Sequence, residues 1–252
     1  MESNKALFRY LLRLGDNASI LGHRLGEWCG HGPALEEDIA TTNTALDLIG
    51  HARSIYNYAG QVEGKGQVED DIAYLRVETE YLNALITELP DGHYGDTIAR
   101  QFLFDQFNHL LFCELEKSAD TTLAAIAAKA VKEIRYHLRR STEWVMRLGD
   151  GTEESHRRIQ DSFNGIWTFT GDLFVQDQAD RQMIGEGIAP DLDVLYPIWK
   201  EKVSAVLTEA TLTVPTGEWM HSGSKTGRHT EHMGYILTDL QYMQRAYPGC
   251  HW

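Results

Sequence analysis

Apolar side chains recur at three- and four-residue intervals through most of the chain, and no run keeps the period of two that marks a strand. Leu7, Leu11, Leu14, Ala18, Leu21, Leu25 and Trp28 predict a first helix over about 4–29, with Gly15-Asp16-Asn17 as a break and re-cap. Pro33 followed by Glu36, Glu37 and Asp38 suits a helix start, because acids favour the positive end of the helix dipole; the second helix is read over 34–59. The glycine-rich stretch 60–70 is an exposed connection. Ile72, Leu75, Leu82, Leu85 and Leu89 predict a third helix over 71–89, closed by Pro90-Asp91-Gly92. A fourth, over 96–118 and capped by Asp96, is apolar around its whole circumference and so is read as buried. A fifth follows Asp120 and runs over 120–148, ending at Leu148-Gly149. Further helices are expected over 155–175, 191–211 and 230–246, with 176–190 irregular and a Gly/Ser/Thr-rich connection over 213–228. The expected fold class is all-α, with residues 1–252 in one helical domain.

On the fifth helix one stripe carries Ile126, Ala130, Glu133, His137, Ser141 and Trp144, so a carboxylate and an imidazole sit one turn apart in line with apolar neighbours. The pattern recurs at Asp105 and His109 and at Asp47 and His51, and in reverse order at His23 and Glu27. Helix bundles that hold two metal ions also draw acids and histidines from four inward faces, but through Glu-x-x-His. Positions three apart differ by roughly 60° around the axis, which aims both groups at one ion. Here the residues three after Asp47, Asp105 and Glu133 are Gly50, Asn108 and Tyr136. Two readings remain: a distorted metal site, or pairs that satisfy each other's buried polarity in the core.

Composition narrows the partners. With 37 acids against 23 Lys and Arg, the net charge of -14 opposes nucleic acid and anionic membrane surfaces. Cys29, Cys113 and Cys250 lack any C-x-x-C spacing, which favours a reducing compartment. The N-terminal residues lack the apolar core of a signal peptide, and no apolar run approaches the about 20 residues of a membrane span, so a cytoplasmic location is expected. His229 and His232 in GRHTEHMG make at most an incomplete metal site. GSKTG at 223–227 places Ser224 where a phosphate loop needs glycine, and no strand leads into it. No nucleophile elbow is present.

Taken together, RLGDN (13–17), RLGEWCGHGPALEEDIA (24–40), ALDLIGHAR (45–53), DTIARQF (96–102), KAVKEIRYHLR (129–139), TEATLTVP (208–215) and GRHTEHMG (227–234) resemble the family of the C component of phenylacetyl-CoA epoxidase. The resemblance spans nearly the whole chain in order. It implies a ferritin-like helical bundle with additional C-terminal helices, serving as a non-catalytic structural subunit of a multicomponent monooxygenase in aerobic phenylacetate breakdown. On this resemblance, a sister subunit of related fold holds two irons and the acyl-CoA, and this chain binds and stabilises it without metal of its own. Other small subunits complete the complex, and a reductase carrying FAD and a 2Fe–2S cluster delivers electrons from NADPH. The family pattern also implies that Glu80, Tyr81, Leu82 and Asn83, with Arg181, Gln182 and Met183, approach the phenylacetyl-CoA site at the subunit boundary. The competing expectation is a self-sufficient di-metal oxidase or iron-binding protein built on Glu27, Asp47, Asp105, Glu133, His109 and His137. A helical adaptor unconnected with oxygenases is the third.

Overall fold

The computed structural model describes residues 2–217 and 219–250, and among them it is all-α: nine α-helices, short 3-10 turns and no strand. Within the chain two compact units can be described separately. Residues 1–90, 177–183 and 223–252 form one, and residues 91–176 and 184–222 the other.

The first unit is built on a hairpin of two long helices, α1 (Glu2–Gly26) and α2 (Leu35–Glu63). Gly15 and Gly22 let them approach: a Cβ on Gly15 would run into the Tyr56 ring, and one on Gly22 would crowd Ile49 and the Ala45 carbonyl. The break expected at 15–17 is therefore absent, and α1 is continuous. Gly15 is there for the crossing, and Asp16 and Asn17 turn their oxygens toward residues 82–84. The acidic first turn of α2 is as expected.

The third helix requires a larger correction. Only α3 (Glu69–Tyr74) is α-helical; 78–80 and 85–88 are single 3-10 turns, and the rest of the stretch is irregular. Asp16 Oδ2 accepts the Leu82 N–H at 2.7 Å and Asn17 Oδ1 accepts the Ala84 N–H at 2.7 Å. Backbone donors committed to α1 cannot join an intrahelical ladder. Residues 81–89 are all buried, so their apolar character reflects burial on every side and not a helical stripe. Tyr81 packs with Ile20, Met233, Ile236 and Leu237, which brings in α9 (His232–Ala246). The left-handed Gly227 (φ 68°) lies so close to the Thr79 carbonyl that no side chain fits.

Between these pieces, α7 (Gln178–Gly185) forms where an irregular segment was expected. Asp177 Oδ1 accepts the N–H groups of Ala179 and Asp180, and Asp180 Oδ2 accepts that of Asp177 at 2.9 Å, a reciprocal cap legible in D-x-x-D. Arg13 of α1 forms ion pairs with both carboxylates.

The second unit holds α4 (Tyr94–Leu115), α5 (Thr121–Gly149), α6 (Glu153–Ile166) and α8 (Leu192–Glu209). α4 is buried around nearly its whole circumference, as its sequence requires. Its cap is His93, not Asp96. Asp96 is the third helical residue, accepts the His93 N–H at 2.9 Å, and also accepts Ser162 Oγ of α6 at 2.7 Å. Asp120 caps α5 as expected. The helix read over 155–175 changes at Ile166 to a 3-10 segment, Trp167–Phe174. Its Trp, Thr, Phe and Gly residues are weak helix formers, so packing decides their winding: Gly171 lies under Met220, and Trp167 and Phe174 meet Trp199 of α8. Trp199 Nε1 donates to the Leu103 carbonyl at 3.1 Å.

Candidate functional site

Each unit buries polar and ionic side chains. In the second, Asp105 lies between α4 and α5. That carboxylate is 1 % exposed; Oδ1 accepts Gln101 Nε2 at 2.6 Å and Oδ2 accepts Ser141 Oγ at 2.8 Å. Burial pushes the Asp105 pKa up to about 6, against the opposing influence of His137, Ser141 and Gln101. His137 is buried, as its stripe predicts, and is among the groups that act on Asp105. The imidazole that accompanies Asp105 is therefore His137 of the neighbouring helix, whereas sequence spacing pairs Asp105 with His109. His109 is half-buried beside Cys113 at 3.6 Å, with its pKa lowered by burial and by the nearby cations Arg135 and Lys202. Glu133 is half-buried at the edge of the α5 stripe. Arg140 of the same helix reaches Tyr94 Oη at 3.0 Å.

In the first unit the four α1 and α2 positions take different roles. His23 turns Nδ1 to the Ser19 carbonyl of its own helix at 2.7 Å, and burial lowers its pKa. Glu27 is exposed and paired with Arg24 at 2.6 Å, while Arg24 Nε donates to the Glu88 carbonyl. Asp47 is half-buried and His51 buried.

The buried ionic groups of this unit are others. Asp16, fully enclosed, binds Arg76 and accepts Tyr56 Oη at 2.6 Å; the Arg76 guanidinium also lies over the Tyr81 ring at 4.1 Å. Glu88 and His229 have wholly enclosed side chains and meet at 2.9 Å. Glu88 further accepts Asn83 Nδ2 and the Thr230 N–H, and His229 Nε2 faces the Tyr81 carbonyl at 3.0 Å. A carbonyl only accepts, so Nε2 carries a proton. Burial alone would lower the His229 pKa, yet the bond and charge of Glu88 lift it above the ordinary value. The i+3 histidine motif draws notice to His229, but its acidic partner lies 141 positions away, beyond any spacing argument.

These donors do not suit a di-metal carboxylate centre within either unit. Glu27 is turned to solvent and held by Arg24, and both Asp105 oxygens accept hydrogen bonds from neighbouring side chains. Among the described residues, no group of three or more His, Cys, Asp and Glu is placed to hold a metal ion. Of the seven boundary positions, Glu80 and Arg181 are exposed and Gln182 is half-buried; Tyr81, Leu82, Asn83 and Met183 are enclosed. In the first unit a groove of about 580 Å³ is lined by Val77, Glu78, Leu237, Gln241, Tyr242 and Arg245, with none of the seven boundary positions in its lining. Among the described residues, no helix is long and apolar enough to cross a membrane.

Fold and site define the class: an all-α helical protein with buried acids and imidazoles held in hydrogen bonds and ion pairs. The chain belongs to the family described as phenylacetic acid catabolic protein, which matches residues 1–252. It is 48% identical over 246 residues to a protein of Escherichia coli (strain K12) described as the C component of 1,2-phenylacetyl-CoA epoxidase, covering 98% of this chain and 99% of that one.

Proposed function

We propose that this chain is the structural subunit of a phenylacetyl-CoA epoxidase in phenylacetate catabolism, and that it binds and stabilises a separate catalytic subunit holding two irons. The observation that carries the reading is the end-to-end identity of 48% with the C component of the Escherichia coli epoxidase. The site geometry supports it: Asp105 is occupied by hydrogen bonds from Gln101 and Ser141, and Glu27 by Arg24, so both serve the fold. In this role the chain carries no cofactor. The diiron belongs to the catalytic partner, FAD and 2Fe–2S to a reductase that takes electrons from NADPH, and other small subunits complete the complex in the cytoplasm. Where the chain meets its partner near phenylacetyl-CoA, exposure favours Glu80, Arg181 and Gln182 as the contacting side chains over Tyr81, Leu82, Asn83 and Met183.

The test is co-expression with the catalytic subunit of the same organism. A single assembly that epoxidises phenylacetyl-CoA when reductase is added, and loses activity when this chain is omitted, is the expected result. Two chains that migrate apart at micromolar concentration would overturn the reading.

A further inference from the structure

Several surface cations of this acidic chain are neutralised in place: Arg53 pairs with Glu69, Lys65 with Glu63, Lys117 with Glu114, and Arg157 and Arg158 with Glu154. The outward face of α5 departs from that pattern. Lys129, Lys132, Arg135, Tyr136 and Arg139 are exposed along it, and no acid is exposed on this helix before Glu143. At 100° per residue, Lys132, Arg135 and Arg139 fall within roughly 60° of one another around the axis, flanked by Lys129 and Tyr136. Among the described residues, none of the four cations has an ion-pair partner. Arg139 lies over the Tyr136 ring at 5.5 Å.

Like charges three and four residues apart repel one another and weaken a helix, so the row costs the fold something and returns nothing within it. Lys202 of α8, also exposed, adds to the same field. Burial, Arg135 and Lys202 together lower the pKa of the half-buried His109, against the influence of Glu116. A chain with a net charge of -14 thus concentrates unneutralised positive charge on one face of its second unit. We propose that the row Lys129, Lys132, Arg135 and Arg139 is a docking surface for an acidic peptide segment of another protein.

The shape of the row selects the anion. From Lys129 to Arg139 it runs about 15 Å along a convex helix face, where a single phosphate or carboxylate meets only one or two side chains. An extended acidic segment of about five residues has the same length at about 3.3 Å per residue, and lays successive carboxylates along it. Arg135 and Arg139, one turn apart, each suit a bidentate carboxylate. Anionic lipid is disfavoured because the face exposes no Leu, Phe or Trp to enter the acyl boundary, and nucleic acid because the rest of the molecule repels it. The proposal does not depend on the subunit role, because its test uses this chain alone.

The experiment is fluorescence anisotropy of a labelled oligo-glutamate peptide titrated with the purified full chain at low ionic strength. The expected dissociation constant is on the order of 100 μM, weakening at least tenfold at physiological salt as exposed charges are screened. Arg139→Glu should weaken binding at least tenfold with an unchanged circular dichroism spectrum and melting temperature, since the side chain is exposed. Arg53→Glu, the same charge change on a surface cation of the first unit, should leave the constant within twofold. A wild-type chain that does not bind the peptide, or an equal loss in both variants, would overturn the proposal. So would pyrophosphate that binds as tightly as the peptide, which would make the row a small-anion site, or cosedimentation with phosphatidylserine vesicles, which would make it a membrane face.

Discussion

Asp105 is held in the core as a costly charge. Its folded pKa of about 6 lies above the ordinary value of 3.8, so the folded state binds a proton more readily than the unfolded one between these pH values. Stability contributed by protonated Asp105 is present at low pH and declines as pH rises toward 6, by roughly 3 kcal/mol in all. Asp105→Asn should remove that decline, so urea titrations from pH 4 to 7 would show a flatter stability profile than wild type; an equally steep profile would contradict the burial argument. His229 behaves oppositely in origin but alike in direction. Its pKa is raised on folding, so its contribution is complete below its unfolded value and is lost as pH climbs through the folded one. His229→Ala leaves Glu88 enclosed without its imidazole and should cost roughly 3 kcal/mol near neutral pH. A melting temperature unchanged in that variant would mean that the pair is not a buried anchor.

At the scale of elements, the long helices are legible because their spacing and end signals agree: Glu36, Glu37 and Asp38 in the first turn of α2, and Asp120 before α5, are local signals. Residues 71–89 depart from the helix their pattern predicts because an apolar run says that a segment is buried, not which donors its backbone will meet. Those donors go to Asp16 and Asn17, more than sixty positions earlier. The same distance explains the polar centres. The stripe on α5 correctly places His137 inside, but the pairing of Asp105 with Ser141 and His137, like that of Glu88 with His229, joins residues on separate elements. Gly15 shows how one residue can carry two meanings. Read locally it suggests a break; in the fold it makes room for the Tyr56 ring of α2 against a continuous α1. Gly15→Ala should displace the Tyr56 ring from Asp16 and destabilise the hairpin, by about 1–3 kcal/mol as for other overpacked sites. Tyr56→Leu in the same chain removes the colliding ring and should recover part of the loss; thermal denaturation of the three proteins measures it.

At the scale of the whole molecule, the acids and histidines that the helical stripes single out take part in hydrogen bonds and ion pairs within each unit. Asp105 binds Ser141 and Gln101, Glu27 binds Arg24, and His23 binds Ser19. The whole-chain kinship is legible in the sequence because its shared segments are spread from residue 13 to residue 234; the partner's docking surface is not, because it depends on which of those side chains reach solvent. The most direct measurement is native mass spectrometry of this chain co-expressed with the catalytic subunit in iron-rich medium, recording the mass of the assembly and, after dissociation, the iron kept by each chain. The account predicts one hetero-oligomer in which iron stays with the catalytic subunit. About two irons retained by this chain on its own, the complement of a bundle di-metal site, would contradict it.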